Sequence, residues 1–315
     1  MNTNKSERLV VIHNTKSSRA ANVERGVFDR LADGGMRPTR FLTPSPHAAD
    51  NIDAIAHFVQ SGDTVLSAAG DGTANAVING LLESNHEGVT AGFLGYGNFN
   101  DVPRTMNHGD ARRDPLTLLS SRKTVELNPL SVTKNGEHWR YAALYATLGW
   151  TAVAAAEFDS PKVREKLQHG GANIVSSLAR LGIRYFQTRH ISDLPLFYRD
   201  NGELYEGLTD VLAVNGPIMA KIIRSGQDKY KGPDFLLRDL DVSGLFKNSG
   251  FLAASAIGRM PGVVTQSDEL KFTQPSSVPI QVDGEFSMLN NVSTLRIEKS
   301  DEHPTLQIID GRRDK

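Results

Sequence analysis

The strongest constraint on the fold is an alternation of strand and helix patterns along the first part of the chain. Short runs rich in β-branched residues lie at residues 9–12, 39–43, 64–68 and 89–94, and stretches with helical spacing lie at residues 17–31, 46–59 and 74–82. This alternation predicts an α/β domain with an open parallel sheet and helices on both faces. Ligands of such sheets bind outside the carboxyl ends of the strands. Residues 70–73 and 95–101, which follow two of the strands, are therefore the first candidates for a site.

The pattern changes beyond residue 123, where strand signals dominate. Strand-like runs lie at residues 125–133, 139–148, 194–199, 208–215, 279–282, 293–298 and 306–309. Asn-Gly pairs beginning at Asn135 and Asn201 stand between strand runs, as hairpin turns do, and one helical stretch at residues 160–185 interrupts the series. We predict two domains, an α/β domain at residues 1–123 and a largely antiparallel β domain at residues 124–315. The last residues of the second are free to pack back on the first.

Composition and charge narrow the possible functions. The chain of 315 residues has no cysteine and a formal net charge of −1. The first property excludes disulfides, thiolate metal sites and a cysteine nucleophile, and the second argues against nucleic acid as a partner. No leader-like or membrane-spanning apolar run occurs, which favours a cytoplasmic protein with at most peripheral membrane contact. Basic segments at residues 162–189 and 221–231 are candidates for that contact, although a solvated surface is the simpler interpretation. Exposed edge strands would permit a homodimer.

The stretch SAAGDGTANAVINGL at residues 67–81 has the features of an anion-binding turn. Gly70 and Gly72 allow backbone N–H groups to approach a ligand closely, and Thr73 is a candidate cap for the helix that follows. A helix amino terminus attracts phosphate. Asp71 would then share a Mg²⁺ ion with the phosphates or accept a proton from an attacking hydroxyl. The alternative is an ordinary strand-to-helix turn in which Asp71 only caps the helix.

Two further motifs give these residues a context. GYGNFNDVPRTM at residues 95–106 and PIQVDGEF at residues 279–286 follow the glycine turn in order. Together the three resemble the diacylglycerol kinase catalytic family, which includes bacterial diacylglycerol kinases and sphingosine kinases. Their usual motifs there are G-G-D-G-T, P-L-G-T-G-N-D-F-A-R and Q-V-D-G-E. Weaker similarities at VIHN and FLTP place Asn14 and Thr43 at the ends of the first two strands.

The resemblance implies an ATP- and Mg²⁺-dependent lipid kinase that acts at a membrane surface in lipid metabolism. Its amino-terminal domain would bind ATP and its β domain would help to bind the lipid. The residues implied in nucleotide binding are Asn14, Thr43, Gly70, Gly72, Thr73, Gly97, Asn100 and Asp101. Asp71 and Glu285 would be the catalytic acids, with Asp71 also a metal ligand. Which of them accepts the proton stays open, and without the resemblance Glu285 would read as a surface residue of a hairpin.

Several departures from the family pattern support an alternative, a catalytically impaired relative that binds nucleotide or lipid. Alanines replace a glycine at Ala69 and a glutamate at Ala76, and Asn98 and Phe99 replace a threonine and a glycine. The Asp-Gly metal motif that the family has further along the chain is also missing. Acids at positions 234, 239 and 241 lie in the corresponding stretch, but none of them is followed by glycine. A less favoured alternative is an NAD kinase, whose related fold uses a similar turn, but the QVDGE segment argues against it.

Overall fold

The structure confirms the predicted fold class: an α/β unit with a mainly parallel sheet, and a second unit built on a largely antiparallel sheet. In this computed structural model the described residues are 8–15, 19–45, 49–97, 99–111, 113–121, 123–158, 193–219, 223–225, 229–241, 257–300 and 302–311. The two compact units are Met1–Asn128 with Asp301–Lys315, and Pro129–Ser300. Among the described helices, none is long and apolar enough to cross a membrane.

The sheet of the first unit has the strand order β2-β1-β3-β4-β18-β5. Its strands are β1 (Leu9–His13), β2 (Thr39–Leu42), β3 (Thr64–Ala69), β4 (Thr90–Gly95), β5 (Thr124–Leu127) and β18 (Leu306–Ile309). All neighbours are parallel except β18 and β5. The strand after the predicted boundary at residue 123, β5, thus belongs to the first sheet, and so does β18 from the end of the chain.

Helices cover this sheet because its central strands are apolar on both sides. The described helical segments are α1 (Ala21–Val23), a π-helical turn (Glu24–Asp29), α2 (Arg30–Asp33), a 3₁₀ turn (Ala49–Asn51), α3 (Ile52–Phe58), α4 (Asp71–Ser84), α5 (Asp101–Met106) and α6 (Pro115–Ser120). One core packs Val27 and Leu31 from the first helical stretch against Leu66 and Leu94 of the sheet. Burial of such side chains is the main stabilising contribution, about 1.5–3 kcal/mol for each.

The second unit contains the antiparallel sheet β15-β14-β11-β8-β16-β17-β6-β7, with a short β9–β10 hairpin beside β16 and a separate β12–β13 pair. Its strands are β6 (Leu130–Lys134), β7 (Glu137–Ala142), β8 (Tyr145–Gly149), β9 (Phe197–Tyr198), β10 (Leu204–Tyr205), β11 (Asp210–Val214), β12 (Ile218–Met219), β13 (Ile223–Arg224), β14 (Phe235–Leu240), β15 (Val263–Thr265), β16 (Ser267–Val282) and β17 (Glu285–Glu298). Both predicted Asn-Gly pairs lie in hairpin turns.

Some predicted elements of this unit were wrong in their bounds. The runs at residues 125–133 and 139–148 are each two strands, because the chain leaves the first sheet after Leu127 and turns a corner at Ala143 and Leu144. The runs at residues 279–282 and 293–298 are ends of the much longer β16 and β17, which form one hairpin. The helical stretch predicted at residues 160–185 and both basic segments lie outside the described residues in whole or in part.

A buried carboxyl group, Asp210, holds the start of helix α7 (Trp150–Phe158). It is fully buried and accepts hydrogen bonds from the backbone N–H of Thr151 (2.5 Å) and the hydroxyl of Thr209 (3.0 Å). Burial raises the pKa of Asp210 to about 7, although these hydrogen bonds oppose the rise. Burying this charge therefore costs stability wherever the group is ionised.

This burial predicts a specific pH dependence of stability. Because the pKa of Asp210 is higher in the folded than in the unfolded chain, the folded protein binds more protons between about pH 4 and pH 7. The contribution of Asp210 to stability should therefore fall by about 2 kcal/mol from pH 5 to pH 7. Asp210→Asn should remove this part of the pH dependence in urea unfolding. Equal slopes for the variant and the wild type would contradict the assignment.

Candidate functional site

The carboxyl edge of the first sheet brings the predicted nucleotide-binding residues together. Strands β1 to β4 end side by side, since His13 pairs with Leu42 and Ala68, and Ala69 with Gly95. Asn14 and Thr43 follow β1 and β2, and the two glycine loops follow β3 and β4. The side-chain amide of Asn14 donates to the hydroxyl of Thr73 (3.4 Å), and the backbone N–H of Thr43 donates to the carbonyl of His13 (3.1 Å).

Helix α4 starts closer to the sheet than the sequence pattern predicts. It begins at Asp71, with Gly70 as its extended capping residue, so the prediction that it starts at residue 74 with Thr73 as its cap was wrong. Thr73 instead lies buried in the first turn. The first N–H groups of the helix, which the helical hydrogen-bond pattern itself does not use, therefore belong to the GDGT motif, where a helix attracts negative charge.

The two glycine loops touch through their backbones. A Cβ atom on Gly97 would lie 2.5 Å from the Cα of Gly70, and one on Gly70 would lie 3.2 Å from the Cα of Gly97. The backbone N–H of Tyr96 also donates to the carbonyl of Ala69 (2.7 Å). Glycine is required at Gly97 because no side chain fits between the loops. This gives Gly97 a structural role that the sequence alone did not reveal.

The carboxylate of Asp71 fastens the second loop to the first. One oxygen accepts from the backbone N–H of Asn100 (2.6 Å) and the other from that of Val102 (3.1 Å). These donors stand at the start of α5, where Asn100 is the capping residue in the left-handed conformation with φ 58°. The side chain of Asn100 exchanges two hydrogen bonds with the backbone of Gly97 (2.8 and 3.0 Å). Asp101 is buried beside it, with 1% exposed.

Several buried polar atoms of the first unit have no hydrogen-bond partner among the described residues. They include His13 Nε2, Thr43 Oγ1, Ser67 Oγ, Thr105 Oγ1, Asn107 Oδ1 and Arg113 Nε. The first three lie at or near the ends of β1, β2 and β3, and the next three lie in the segment after β4. Such atoms are rare in native proteins because each costs free energy, and a bound polar ligand is one way to satisfy them. Sequence reasoning assigned no role to His13, although it lies in the VIHN segment, or to Arg113, which stands in no motif.

The cavity at the opposite edge of the sheet differs in the pairing of its polar groups. A cavity of about 910 Å³ lies there, lined by Arg8, Arg37 and the first residues of several strands. Arg8 is paired with Asp63 (2.6 Å), and the hydroxyls of Thr64 and Thr90 bond to each other (3.3 Å). Among the described residues that line this cavity, no buried side-chain atom lacks a hydrogen-bond partner.

Burial also sets the charge state of two groups near the carboxyl edge. It lowers the pKa of His13; the carboxylate of Glu24 opposes this shift and the guanidinium of Arg40 adds to it. It raises the pKa of the Tyr96 hydroxyl. Both side chains are therefore neutral near pH 7, His13 as imidazole and Tyr96 as phenol.

The departures from the family pattern have visible consequences. Ala76 is fully buried within α4, where a glutamate would place a charge in the core. Phe99 is half-buried in the second loop, and its carbonyl accepts from the guanidinium of Arg104 (3.3 Å). Asn98 lies outside the described residues. Of the acids near the missing Asp-Gly motif, Asp239 forms a two-pronged ion pair with Arg199 (2.5 and 2.7 Å).

Glu285 belongs to the second unit, where it begins β17 after a two-residue turn. Asp283 and Gly284 form that turn with φ values of 47° and 95°, and Val282 pairs with Glu285 across it. This is the hairpin geometry for which Asp-Gly is strongly preferred. Glu285 is half-buried. No group of three acidic or histidine side chains arranged to hold a metal occurs among the described residues.

Comparison with known proteins agrees with the resemblance seen in the motifs. Residues 8–132 match the family model of the diacylglycerol kinase catalytic domain. The fold resembles that of a diacylglycerol kinase from Bacillus anthracis str. Sterne, with a TM-score of 0.67 and 18% identity over 96% of this chain and 97% of that one. A candidate diacylglycerol kinase from the same strain gives a TM-score of 0.66 and 18% identity over 98% of each chain. No curated protein matches the chain significantly.

The predicted resemblance is confirmed for residues 8–132, which hold both glycine loops and Asp71. At 18% identity the likeness to solved structures shows the fold alone. A domain of this kind suggests, in general, a nucleotide and a divalent metal.

The close contact of the glycine loops predicts the effect of a small substitution. Gly97→Ala should lower the free energy of unfolding by about 1–3 kcal/mol, because its methyl group would meet the backbone of Gly70. Gly34→Ala is the matched control. Its methyl group would also come close to a neighbour, 2.5 Å from Leu116 Cδ2, but that neighbour is the end of a flexible side chain. Urea unfolding should separate the two variants, and equal losses would refute the requirement at Gly97.

Proposed function

We propose that the protein is an ATP- and Mg²⁺-dependent lipid kinase that transfers the γ-phosphoryl group to the hydroxyl of a diacylglycerol-like lipid. The observation that carries the proposal is the GDGT turn at the head of α4, fastened by Asp71 to the second glycine loop, within a segment that matches the diacylglycerol kinase catalytic domain. The buried atoms His13 Nε2 and Thr43 Oγ1, which have no partner among the described residues and lie at the ends of neighbouring strands, support a polar ligand at the same edge.

In this proposal the nucleotide phosphates bind at the amino terminus of α4. The backbone N–H groups of Gly70, Gly72 and Thr73 donate to them, assisted by the helix dipole. Asn14 and Thr43 contact the nucleotide from the neighbouring strand ends, and Gly97, Asn100 and Asp101 keep the second loop in place. Thr43 is of special interest because its hydroxyl is buried without a partner among the described residues.

Two carboxylates then take different tasks. Both oxygens of Asp71 accept backbone hydrogen bonds, which fixes their orientation, and a carboxylate oxygen has two lone pairs, so that it can accept such a bond and bind an ion as well. Mg²⁺ is usually held by one or two carboxylates and by phosphates of the substrate, so a single acid suits this metal although no larger acidic group is described. When bound, the ion neutralises charge on the phosphates. Glu285 is the proposed base that accepts the proton of the lipid hydroxyl, and the lipid approaches from a membrane surface.

A second candidate is a relative with impaired catalysis that binds nucleotide or lipid as a regulatory module. The observations that favour it are the burial of Ala76, the position of Phe99 in the second loop and the pairing of Asp239 with Arg199. It predicts nucleotide binding without phosphoryl transfer.

The deciding experiment measures transfer of labelled γ-phosphate from ATP to lipids in mixed micelles, with and without Mg²⁺. The panel holds diacylglycerol, sphingosine-type bases, phosphatidylglycerol and polyprenols, and a separate reaction offers NAD. Glu285→Gln should lower kcat by about 10²–10⁴-fold, as loss of a general base does, whereas Glu269→Gln in β16 should not. Nucleotide binding without transfer to any acceptor would favour the regulatory candidate, and transfer to NAD would identify an NAD kinase.

The buried hydroxyl of Thr43, which has no partner among the described residues, allows a test in which ATP affinity and the stability of the protein change differently. Thr43→Val removes a buried hydroxyl without a partner, so the melting temperature should stay the same or rise. If ATP uses that hydroxyl, the variant should bind ATP about tenfold more weakly, the value of one ordinary hydrogen bond. Calorimetry of binding and of unfolding measures both. Unchanged ATP affinity would remove Thr43 from the site.

A further inference from the structure

The corner at Ala143 and Leu144, between β7 and β8, is the centre of a buried hydrogen-bond network. Both residues are fully buried, so their backbone groups need partners within the protein. Three side chains, Asp283, Asn215 and Lys299, provide or support those partners. We refer to these three side chains as the clasp.

Asp283 holds the corner from one side. Its carboxylate accepts hydrogen bonds from the backbone N–H groups of Ala143 (2.7 Å), Leu144 (2.8 Å) and Tyr145 (3.1 Å). Its own N–H donates to the carbonyl of Tyr145 (3.1 Å). With 1% of its surface exposed, the carboxylate obtains from these donors the stabilisation that water would otherwise give.

Asn215 holds the same corner from the other side. Its side-chain amide donates to the carbonyl of Ala143 (2.7 Å), and its backbone N–H and that of Gly216 donate to the carbonyl of Leu144 (2.7 and 2.8 Å). The approach is close, because a Cβ atom on Gly216 would lie 2.6 Å from Leu144 Cδ2. Asn215 is fully buried.

Lys299 completes the clasp with a buried positive charge. Its ammonium group donates to the side-chain oxygen of Asn215 (2.9 Å) and to the carbonyl of Asp234 (3.4 Å). Only 5% of this lysine is exposed, which is rare for the residue type. The donation to Asn215 fixes the orientation of that amide, so that its nitrogen faces Ala143.

The clasp joins the two ends of one long strand. Asp283 stands two residues before the first residue of β17 and Lys299 directly after its last. Asp283 binds the corner directly, and Lys299 reaches the same corner through Asn215. The sheet must therefore curl along β17, and breaks in the register of the β16–β17 hairpin between Lys271 and Val278 accompany this curl. Glu285 is two residues from Asp283, across the turn that Asp283 anchors.

We infer that the clasp positions Glu285, with Lys299 acting on it from the far end of β17 through Asn215 and the Ala143–Leu144 corner. These three side chains are positioning residues, and the inference rests on the proposed function of Glu285 as the base. A catalytic group that is misplaced by about 1 Å can lose about 10²-fold in rate, which gives such a network a measurable effect on catalysis.

The test uses Lys299→Met in the full-length protein, with Lys299→Arg as the conservative variant. Asp210→Asn serves as the matched control, because it also alters a buried polar group of the same unit. The first readout is the side-chain ¹³C carboxyl signal of Glu285, assigned with Glu285→Gln. The second is kcat and KM for ATP and the lipid, and the third is the melting temperature.

Lys299→Met should shift the Glu285 signal and lower kcat by about 10-fold to 10²-fold while KM for ATP stays unchanged. Lys299→Arg should restore part of the wild-type Glu285 signal and of kcat. Asp210→Asn should leave the Glu285 signal and kcat as in the wild type. A lower melting temperature with unchanged Glu285 signal and kcat would overturn the inference and leave the clasp a purely structural feature.

If the wild type phosphorylates no lipid, the proposed function fails, but the Glu285 signal still tests the clasp. If Lys299→Met does not fold, Lys299→Gln takes its place as the variant without the positive charge, and an unchanged Glu285 signal and kcat in that variant would overturn the inference.

Discussion

The carboxylate of Asp71 is the interaction on which the first unit depends at its carboxyl edge. By accepting the N–H groups of Asn100 and Val102, it converts the loops after β3 and β4 into one rigid surface. Gly70 and Gly97 make this possible, since a side chain at Gly97 would collide with the facing backbone. Asp71, which the motif suggests as a catalytic acid, thus also holds the two loops together. Its substitution would affect the geometry of the loops as well as the chemistry of the site.

The satisfied and unsatisfied polar groups of the first unit are distributed unevenly. At the amino edge of the sheet, Asp63 accepts from Arg8 and from the backbone N–H of Gln60, and the hydroxyls of Thr64 and Thr90 bond to each other. At the carboxyl ends of β1 and β2, His13 Nε2 and Thr43 Oγ1 are buried without partners within the described residues. Burying a polar atom without a partner destabilises the folded protein. A polar ligand at the carboxyl edge would offset this effect by forming hydrogen bonds with these atoms.

Local patterns predicted the sheet and the turns, and long-range contacts account for most errors. Apolar runs such as residues 9–12 predicted the strands of the first unit, because a buried parallel strand is apolar throughout. The start of α4 was misplaced because Gly70 and Gly72 are poor helix formers, although Gly70 is a suitable cap. The break at Ala143 was not predictable from residues 139–148, since its cause, Asp283, is far away in the chain. The clasp was hidden for the same reason, and Lys299 stands in no motif.

The most direct test of the account is a titration of the isotope-labelled protein with a non-hydrolysable ATP analogue and Mg²⁺, followed by backbone amide signals in NMR spectra. The account predicts that the signals of Gly70, Gly72 and Thr73 shift most, together with those of Asn14 and Thr43. Shifts confined to Arg8, Arg37 and Thr90 at the opposite edge of the sheet, or no shifts at all, would contradict it.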